Sequence, residues 1–373
     1  MLKREGLWRE WLVLAASACG RAGLARKAVN VMAESHESML YEKLDGEKVR
    51  CGLCGHQCVI LSGKYGLCRV RRNVAGQLRS LTYGMLVAIN VDPIEKKPFF
   101  HYLPGTKSLS IAASGCNFQC EFCQNWQISQ SPRTDSEIRG QAVSPEQVVS
   151  GAIAHDCASI SYTYTEPTVF FEMAYDTARL ARGRGLGNTF VSNGYMTPKA
   201  IDMIAPYLDA INVDLKAFSD ETYRRVMKAR LEPVLTALRA LVAAGVWVEV
   251  TTLVVPGMND SPQELRDIAR FIAKDLDASV PWHVSRFHGD YKMTEVRATP
   301  IETMELACGI GREEGLRFVY SGNLPGHADE RTYCPSCREL LIDRQGYFVR
   351  GAYLRDGRCP KCNEAIEGVW KRP

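Results

Sequence analysis

Between Ser108 and Ser285 short apolar runs alternate with longer helix-like stretches. The runs Ser108–Ala112, Ala158–Tyr162, Thr189–Ser192, Ala210–Val213, Val246–Thr252 and Trp282–Ser285 read as buried strands. Thr168–Arg182, Pro198–Tyr207, Leu231–Ala244 and Pro262–Lys274 read as helices, and Asp260 or Ser261 offers an N-cap ahead of Pro262. A weaker seventh strand lies near Leu316–Tyr320. Strands that alternate with long helices imply a parallel sheet with right-handed crossovers. The expected fold class is α/β, with an open, partial (β/α)6 barrel of TIM type over residues 106–327.

Every predicted strand runs into a polar or glycine-containing segment. The first leads to a loop with three cysteines, the second to "TYTEPT" and the third to "SNGY". The fourth ends in "DLK", the fifth in "VVPGMND" and the sixth in "SRFHGDYK". In a parallel barrel these segments share the C-terminal face, where chemistry is done. Their convergence says more than any one of them.

The flanks differ from this middle. Residues 1–37 form an N-terminal extension, 38–105 a cysteine-rich region ending in "VDPIEKKPFFHYLPG", and 328–373 a second cysteine-rich tail. The chain has 373 residues, 46% apolar and 24% charged, which is ordinary globular composition. A net charge of +4 gives no electrostatic case for nucleic-acid binding. The extension has a basic start, an apolar run from Trp11 to Ala18 and small residues before Cys19. It reads as an amphipathic helix of a cytoplasmic protein; the alternative is a degenerate export signal or membrane anchor. No other segment is long and apolar enough to span a bilayer.

Fourteen cysteines are the outlier, and eleven fall in three clusters. In a long chain with C-x2-C units, metal or redox sites are expected rather than disulfides. Cys19, Cys157 and Cys308 lie outside the clusters and read as unpaired thiols. "CPSC" and "CPKC" place Cys334, Cys337, Cys359 and Cys362 as two knuckles with strand-like sequence between them. That arrangement reads as a zinc ribbon, chiefly a structural clip, with rubredoxin-like iron the minor alternative. Cys51, Cys54, Cys58 and Cys68 supply four thiolates near His56, Gly63 and Gly66. Zinc and an auxiliary iron–sulfur cluster both fit them, with structural zinc slightly preferred, because spacing does not choose the metal.

The third cluster is "SGCNFQCEFCQNW", with Cys116, Cys120 and Cys123 at the spacing C-x3-C-x2-C. Four thiolates normally hold an iron–sulfur cube; three leave one iron open for another ligand. With Phe122 before the last cysteine and a first strand ahead of it, this loop resembles that of radical S-adenosylmethionine (SAM) enzymes. The resemblance implies a [4Fe-4S] cluster whose open iron is chelated by the amino and carboxylate groups of SAM. Reductive cleavage of SAM then yields methionine and a 5′-deoxyadenosyl radical that abstracts hydrogen.

It also implies a SAM pocket. Glu166 stands where the family has a Gly-Gly-Glu-Pro-like motif, with Tyr164 and Thr165 in place of the glycines. A carboxylate there would accept from the SAM ammonium; otherwise it is a dipole-stabilised residue at a helix start. Ser192 and Asn193 match the Thr-Asn-Gly of glycyl-radical-enzyme activases, and Asp214 and Lys216 match a further strand end, where a strand cap with a solvated lysine is the alternative. Phe122, Asn125, Trp126 and His288 echo the same pattern. Arg286 is a pocket candidate or an ordinary ion-pair partner, and His283 reads as packed within its strand.

Together "CGLCGHQCVI", "VDPIEKKPFFHYLPGT", "GCNFQCEFCQNWQISQ", "TYTEPT", "VDLKAF", "TLVVPGMND", "WHVSRFHGDYKM" and the "YCPSC…CPKC" tail resemble the radical SAM member of the AmmeMemoRadiSam system. That group is related to pyruvate formate-lyase activating enzymes, and the resemblance covers about residues 38–373. It implies Memo-like and AMMECR-like partners and an electron donor. A protein hydrogen donor is the first expectation, a small-molecule donor the second. A non-catalytic, metal-stabilised interaction protein is the reading from a different class.

Overall fold

A computed structural model describes residues 36–134, 138–324, 326 and 328–372. The extension up to residue 35, including Cys19 and the candidate export signal, lies outside these residues. The main feature of the fold is one nine-stranded sheet. Seven strands run parallel in sequence order: β1 (Lys107–Ala113), β2 (Ser159–Tyr162), β3 (Gly187–Ser192), β4 (Ala210–Asp214), β5 (Trp247–Val254), β6 (Trp282–Arg286) and β7 (Val319–Gly322). Beyond β1 the strand Met85–Pro93 pairs antiparallel, and Gln141–Ala142 pairs antiparallel to that. The sheet is therefore mixed and open, with six β-to-β crossovers rather than a closed ring.

The crossovers carry α1 (Pro145–Ala154), α2 (Phe171–Arg182), α3 (Pro198–Ile204), α4 (Glu232–Ala243), α5 (Pro262–Phe271) and α6 (Ile301–Glu313). Local sequence starts them. Ser144 and Gln147 form a reciprocal capping box at α1, and Ser261, not Asp260, caps α5. Because the strand order never reverses and crossovers are right-handed, the helices share one face.

That arrangement splits each strand by alternation. Leu109, Ile111, Ile160, Tyr162, Phe190, Ile211, Val213, Val248 and Val250 join the helices in the main core. The intervening positions are polar. Ser108 Oγ lies 2.6 Å from Ser161 Oγ, which lies 2.7 Å from Thr189 Oγ1. Further along, Thr251 donates to Asn212 at 2.7 Å and His283 pairs with Glu249 at 2.6 Å. The runs that read as uniformly apolar are buried on both faces, but one face is built for hydrogen bonds.

The stretch 93–105 straps the N-terminal end of this polar face. Glu249 accepts from the backbone N–H of Phe100 and His101 at 3.0 and 2.9 Å. Asn212 donates to the Pro98 carbonyl at 2.7 Å. The strap also holds the tail: Leu103 N–H donates to Val369 O at 2.8 Å, and buried Arg344 donates to Phe100 O at 2.5 Å. The tail contains the antiparallel sheet of Thr332–Tyr333, Leu340–Gln345 and Phe348–Ala352. Among the described residues no helix is long and apolar enough to cross a membrane.

The N-terminal cysteine-rich region docks on α2 through one buried ion pair. Arg71 donates to both carboxylate oxygens of Glu172, at 2.6 and 2.7 Å, and to Ser38 Oγ at 2.7 Å. Both charged side chains are nearly inaccessible, 2% and 0% exposed. Replacing Arg71 with Leu strands the Glu172 charge and is expected to cost about 3–5 kcal/mol. Denaturant unfolding checks it: Arg71→Leu should be strongly destabilised, and adding Glu172→Leu should recover most of the loss.

Candidate functional site

The C-terminal ends of β2 and β3 meet at one carboxylate. Glu166, 1% exposed, follows β2 and precedes a short 3-10 turn, Pro167–Phe170. Its Oε1 accepts from Thr168 N–H at 3.1 Å, Thr168 Oγ1 at 2.6 Å and Ser192 Oγ at 2.9 Å. Its Oε2 accepts only from Asn193 N–H, at 2.8 Å. Each carboxylate oxygen offers about two lone-pair sites, so Oε2, with one donor among the described residues, keeps capacity for another. Among the described residues no cation pairs with Glu166. Burial accordingly pushes its pKa up, against the pull of the hydrogen bonds from Thr168, Asn193 and Ser192. A buried carboxylate with a free acceptor and no counter-ion suits a cationic ligand.

Asn193 joins this carboxylate to the cysteine loop. Its side-chain amide donates to Asn117 Oδ1 at 2.7 Å and reaches Cys116 Sγ at 3.7 Å. The turn beneath it needs glycine: Gly194 has φ +69°, and a Cβ there would lie 2.6 Å from Val213 Cγ1. Opposite, Lys216 donates to Asp214 at 2.8 Å and lies 5.7 Å from the centre of the buried Phe122 ring. Burial works against the Lys216 charge, yet Asp214 and the nearby Cys120 sulfur hold its pKa above the ordinary value.

The loop itself is pinned on several sides. Gln119 N–H donates to Met227 O at 3.0 Å, and Phe118 packs edge-on against Tyr195 and Tyr223. Burial raises the Cys116 thiol well above its usual range and Cys120 to about 12. Three sulfur donors on one pinned loop, beside a buried carboxylate, are the donor set that a four-iron cluster with one open iron would take.

Other predicted residues sit further out. His288 lies 3.1 Å from Gln124, next to Cys123, at an exposed position. Asn125 is exposed and precedes the turn Trp126–Ser129, and Trp126 stacks on Tyr291 at 5.2 Å. Neither Asn125 nor His288 hydrogen-bonds to the Glu166 group. Arg286 donates to the Thr299 carbonyl at 2.7 Å rather than entering an ion pair among the described residues. His283 is buried against Glu249, Phe100 and Tyr320.

Sequence reading missed Asn117, Thr168 and Arg133. Arg133 donates to the carbonyls of Cys116 and Leu67, at 2.8 and 3.0 Å. It also undervalued Tyr164, whose φ of 61° is the left-handed conformation that glycine favours. Its hydroxyl bonds Asp92, and Lys97 Nζ lies 4.4 Å over its ring. These contacts hold a bulky residue in a backbone conformation that glycine adopts freely.

The tail cysteines form a second, different site. The sulfurs of Cys334, Cys337, Cys359 and Cys362 all lie within 4.8 Å of one another. Cys334 and Cys362 are 3.5 Å apart, Cys337 and Cys359 3.6 Å. Metal–sulfur bonds of about 2.3 Å in a tetrahedron separate sulfurs by about 3.8 Å, so this quartet fits one tetrahedral ion. Every described cysteine is a free thiol, and Cys157 and Cys308 are buried in the main core.

Gly194→Ala is expected to force Ser192 and Asn193 off Glu166 and to destabilise the protein by about 1–3 kcal/mol. Thermal unfolding, with hydrogen exchange at Asn193, checks it; unchanged protection would refute the role given to this turn.

Residues 110–272 match the Radical SAM superfamily. An uncharacterized protein of Methanocaldococcus jannaschii is 46% identical over 335 residues, 89% of this chain and 99% of that protein. The benzylsuccinate synthase activating enzyme of Thauera aromatica is 22% identical over 205 residues, 50% of this chain and 62% of its own. The pyruvate formate-lyase-activating enzyme of Clostridium pasteurianum is 20% identical over 211 residues, 52% and 85% of the two chains.

Proposed function

Since the chain belongs to the Radical SAM superfamily, we propose that it cleaves SAM reductively and uses the product radical to take a hydrogen atom from a protein partner. A [4Fe-4S] cluster with bound SAM supplies one-electron cleavage of a carbon–sulfur bond, giving methionine and a 5′-deoxyadenosyl radical. The observation that carries this reading is Glu166, buried, without a cation partner among the described residues, and linked through Asn193 to the loop of Cys116, Cys120 and Cys123.

In this reading the three cysteines hold the cluster and Glu166 Oε2 accepts from the SAM ammonium. Ser192, Asn193 and Thr168 fix the carboxylate, so it need not reorganise when the ligand arrives. Asp214 keeps Lys216 charged beside Cys120, which offsets negative charge on the cluster loop. Phe122 excludes water from the same side. Asn125 and His288 are assigned to the outer rim of the pocket.

The protein hydrogen donor is supported by the relatives named as activating enzymes of benzylsuccinate synthase and of pyruvate formate-lyase. Membership of the AmmeMemoRadiSam system, with Memo-like and AMMECR-like partners, rests on the shared motifs set out above. The tail is assigned as a zinc ribbon that clips the chain end to the strap through Val369.

Anaerobic protein, reduced with dithionite and given SAM, should release 5′-deoxyadenosine, measured by chromatography with mass detection. Cys120→Ala should abolish it. Glu166→Gln should lose about 1.5–3 kcal/mol of a charge-assisted bond, which raises the KM for SAM roughly tenfold or more. Normal cleavage by Cys120→Ala would overturn the assignment. Label passing from a deuterated small metabolite, but from no partner protein, into 5′-deoxyadenosine would overturn the protein donor.

For the tail, Cys334→Ala with Cys337→Ala should remove about one zinc per chain and lower the protection of residues 332–352 in hydrogen exchange. Cleavage of SAM by that variant should persist.

A further inference from the structure

Cys51, Cys54, Cys58 and Cys68 line one small cavity that is partly open to solvent. They come from three local segments. Cys51 ends the strand Lys48–Cys51, Cys54 and Cys58 lie in the loop that follows it, and Cys68 arrives after Gly66. Four ligand-bearing side chains gathered around one space suit an occupant that binds sulfur.

The chain contains its own yardstick for what that is. The tail quartet has drawn its sulfurs to within 4.8 Å of one another, as a single tetrahedral ion requires. Among the described residues it is the one group of three or more metal-ligating side chains so converged. The N-terminal quartet lines its cavity without meeting that limit. A four-iron cube carries an iron at alternate corners and holds its thiolates further apart than one ion does. The wall also includes Ile60 and Leu67, apolar neighbours that suit a cluster in a low-dielectric setting.

The cavity shares a wall with the cysteine-triad loop. Asn117, directly after Cys116, lines it, and His56 Nε2 lies 3.0 Å from the Asn117 carbonyl. One guanidinium, Arg133, donates to the carbonyl beside Cys68 and to that of Cys116. Gly55 N–H donates to Tyr195 O at 2.8 Å, two residues beyond Asn193. Nothing but these few residues separates the two thiol sites along this route.

We propose that Cys51, Cys54, Cys58 and Cys68 hold a second, redox-active four-iron cluster in place of zinc, close enough to the triad cluster to exchange single electrons with it. Four thiolates occupy all four irons, so this site has no open position for a substrate. Its chemistry is electron transfer: one electron enters from an external one-electron reductant and one passes on to the triad site. No bond is made or broken and no proton moves. The metal assignment stands independently of SAM cleavage; the exchange rests on the triad holding a cluster, as proposed above.

The test uses the full chain, purified anaerobically, with C116A/C120A/C123A removing the triad. This variant should keep roughly four irons and four sulfides per chain, and show the electron paramagnetic resonance signal of a reduced four-iron cluster with dithionite. Zinc should stay near one per chain and vanish on adding C334A/C337A, with iron unchanged. A triad variant without iron, or with about two zincs per chain, would overturn the proposal. In dithionite-reduced wild type the two signals should broaden each other and relax faster than in the triad variant. A spectrum equal to the sum of two isolated clusters would overturn the exchange. Neither readout uses SAM turnover, so a failure of the cleavage reading leaves these outcomes distinct.

Discussion

Parallel pairing in unbroken sequence order is the constraint on which this molecule depends. From β1 to β7 every strand pairs with the next in the same direction. All strand ends therefore lie on one edge, and all helices on one face. The cysteine loop, Glu166, Ser192–Asn193 and Asp214–Lys216 come from four different strand ends. No local preference brings them together. The ladder does, and it leaves the opposite face free for the polar row from Ser108 to His283.

The buried charges show how the two ends of the sheet differ. At the N-terminal end Glu249 is held below its ordinary pKa: burial opposes the charge, but the bond from His283 and further donors overcome it. Arg71 and Glu172 satisfy each other in the same way. These are structural charges with their partners in place. Glu166 is as deeply buried, yet it has hydrogen-bond donors without a cation. This contrast within one chain is what supports the proposal that the Glu166 charge serves a ligand and not the fold.

The three thiol groups differ in a similar way. The tail quartet has converged on a point and clips the chain end to the strap. The triad lies on one pinned loop beside a carboxylate. The N-terminal quartet surrounds a space and leans on the triad loop through His56 and Arg133. Cysteine spacing alone left the first and last of these open to the same metals. The structure adds one difference: among the described residues only the tail sulfurs all lie within 4.8 Å of one another, and one ion and one cube demand different separations.

Much of the fold was legible because burial writes itself into sequence. The six strong runs and the four named helices lie within a few residues of the observed elements, and even the weak seventh run becomes β7. The cysteine loop and Glu166 were legible because each carries its chemistry in a short contiguous motif. Tyr164, Asn117, Thr168 and Arg133 were not, since their roles depend on backbone conformation and on partners distant in sequence. The strap at 93–105 read only as a proline- and lysine-containing stretch; its use appears when Glu249 and Asn212 meet it. Sequence by itself determined the alternation of strands and helices and the kinds of ligand atom present, because these follow from local periodicity and residue type. Only the tertiary structure decided which carboxylate stays without a counter-ion and which thiols crowd around a point, because charge compensation and sulfur separation are set by groups that the chain brings together from far apart.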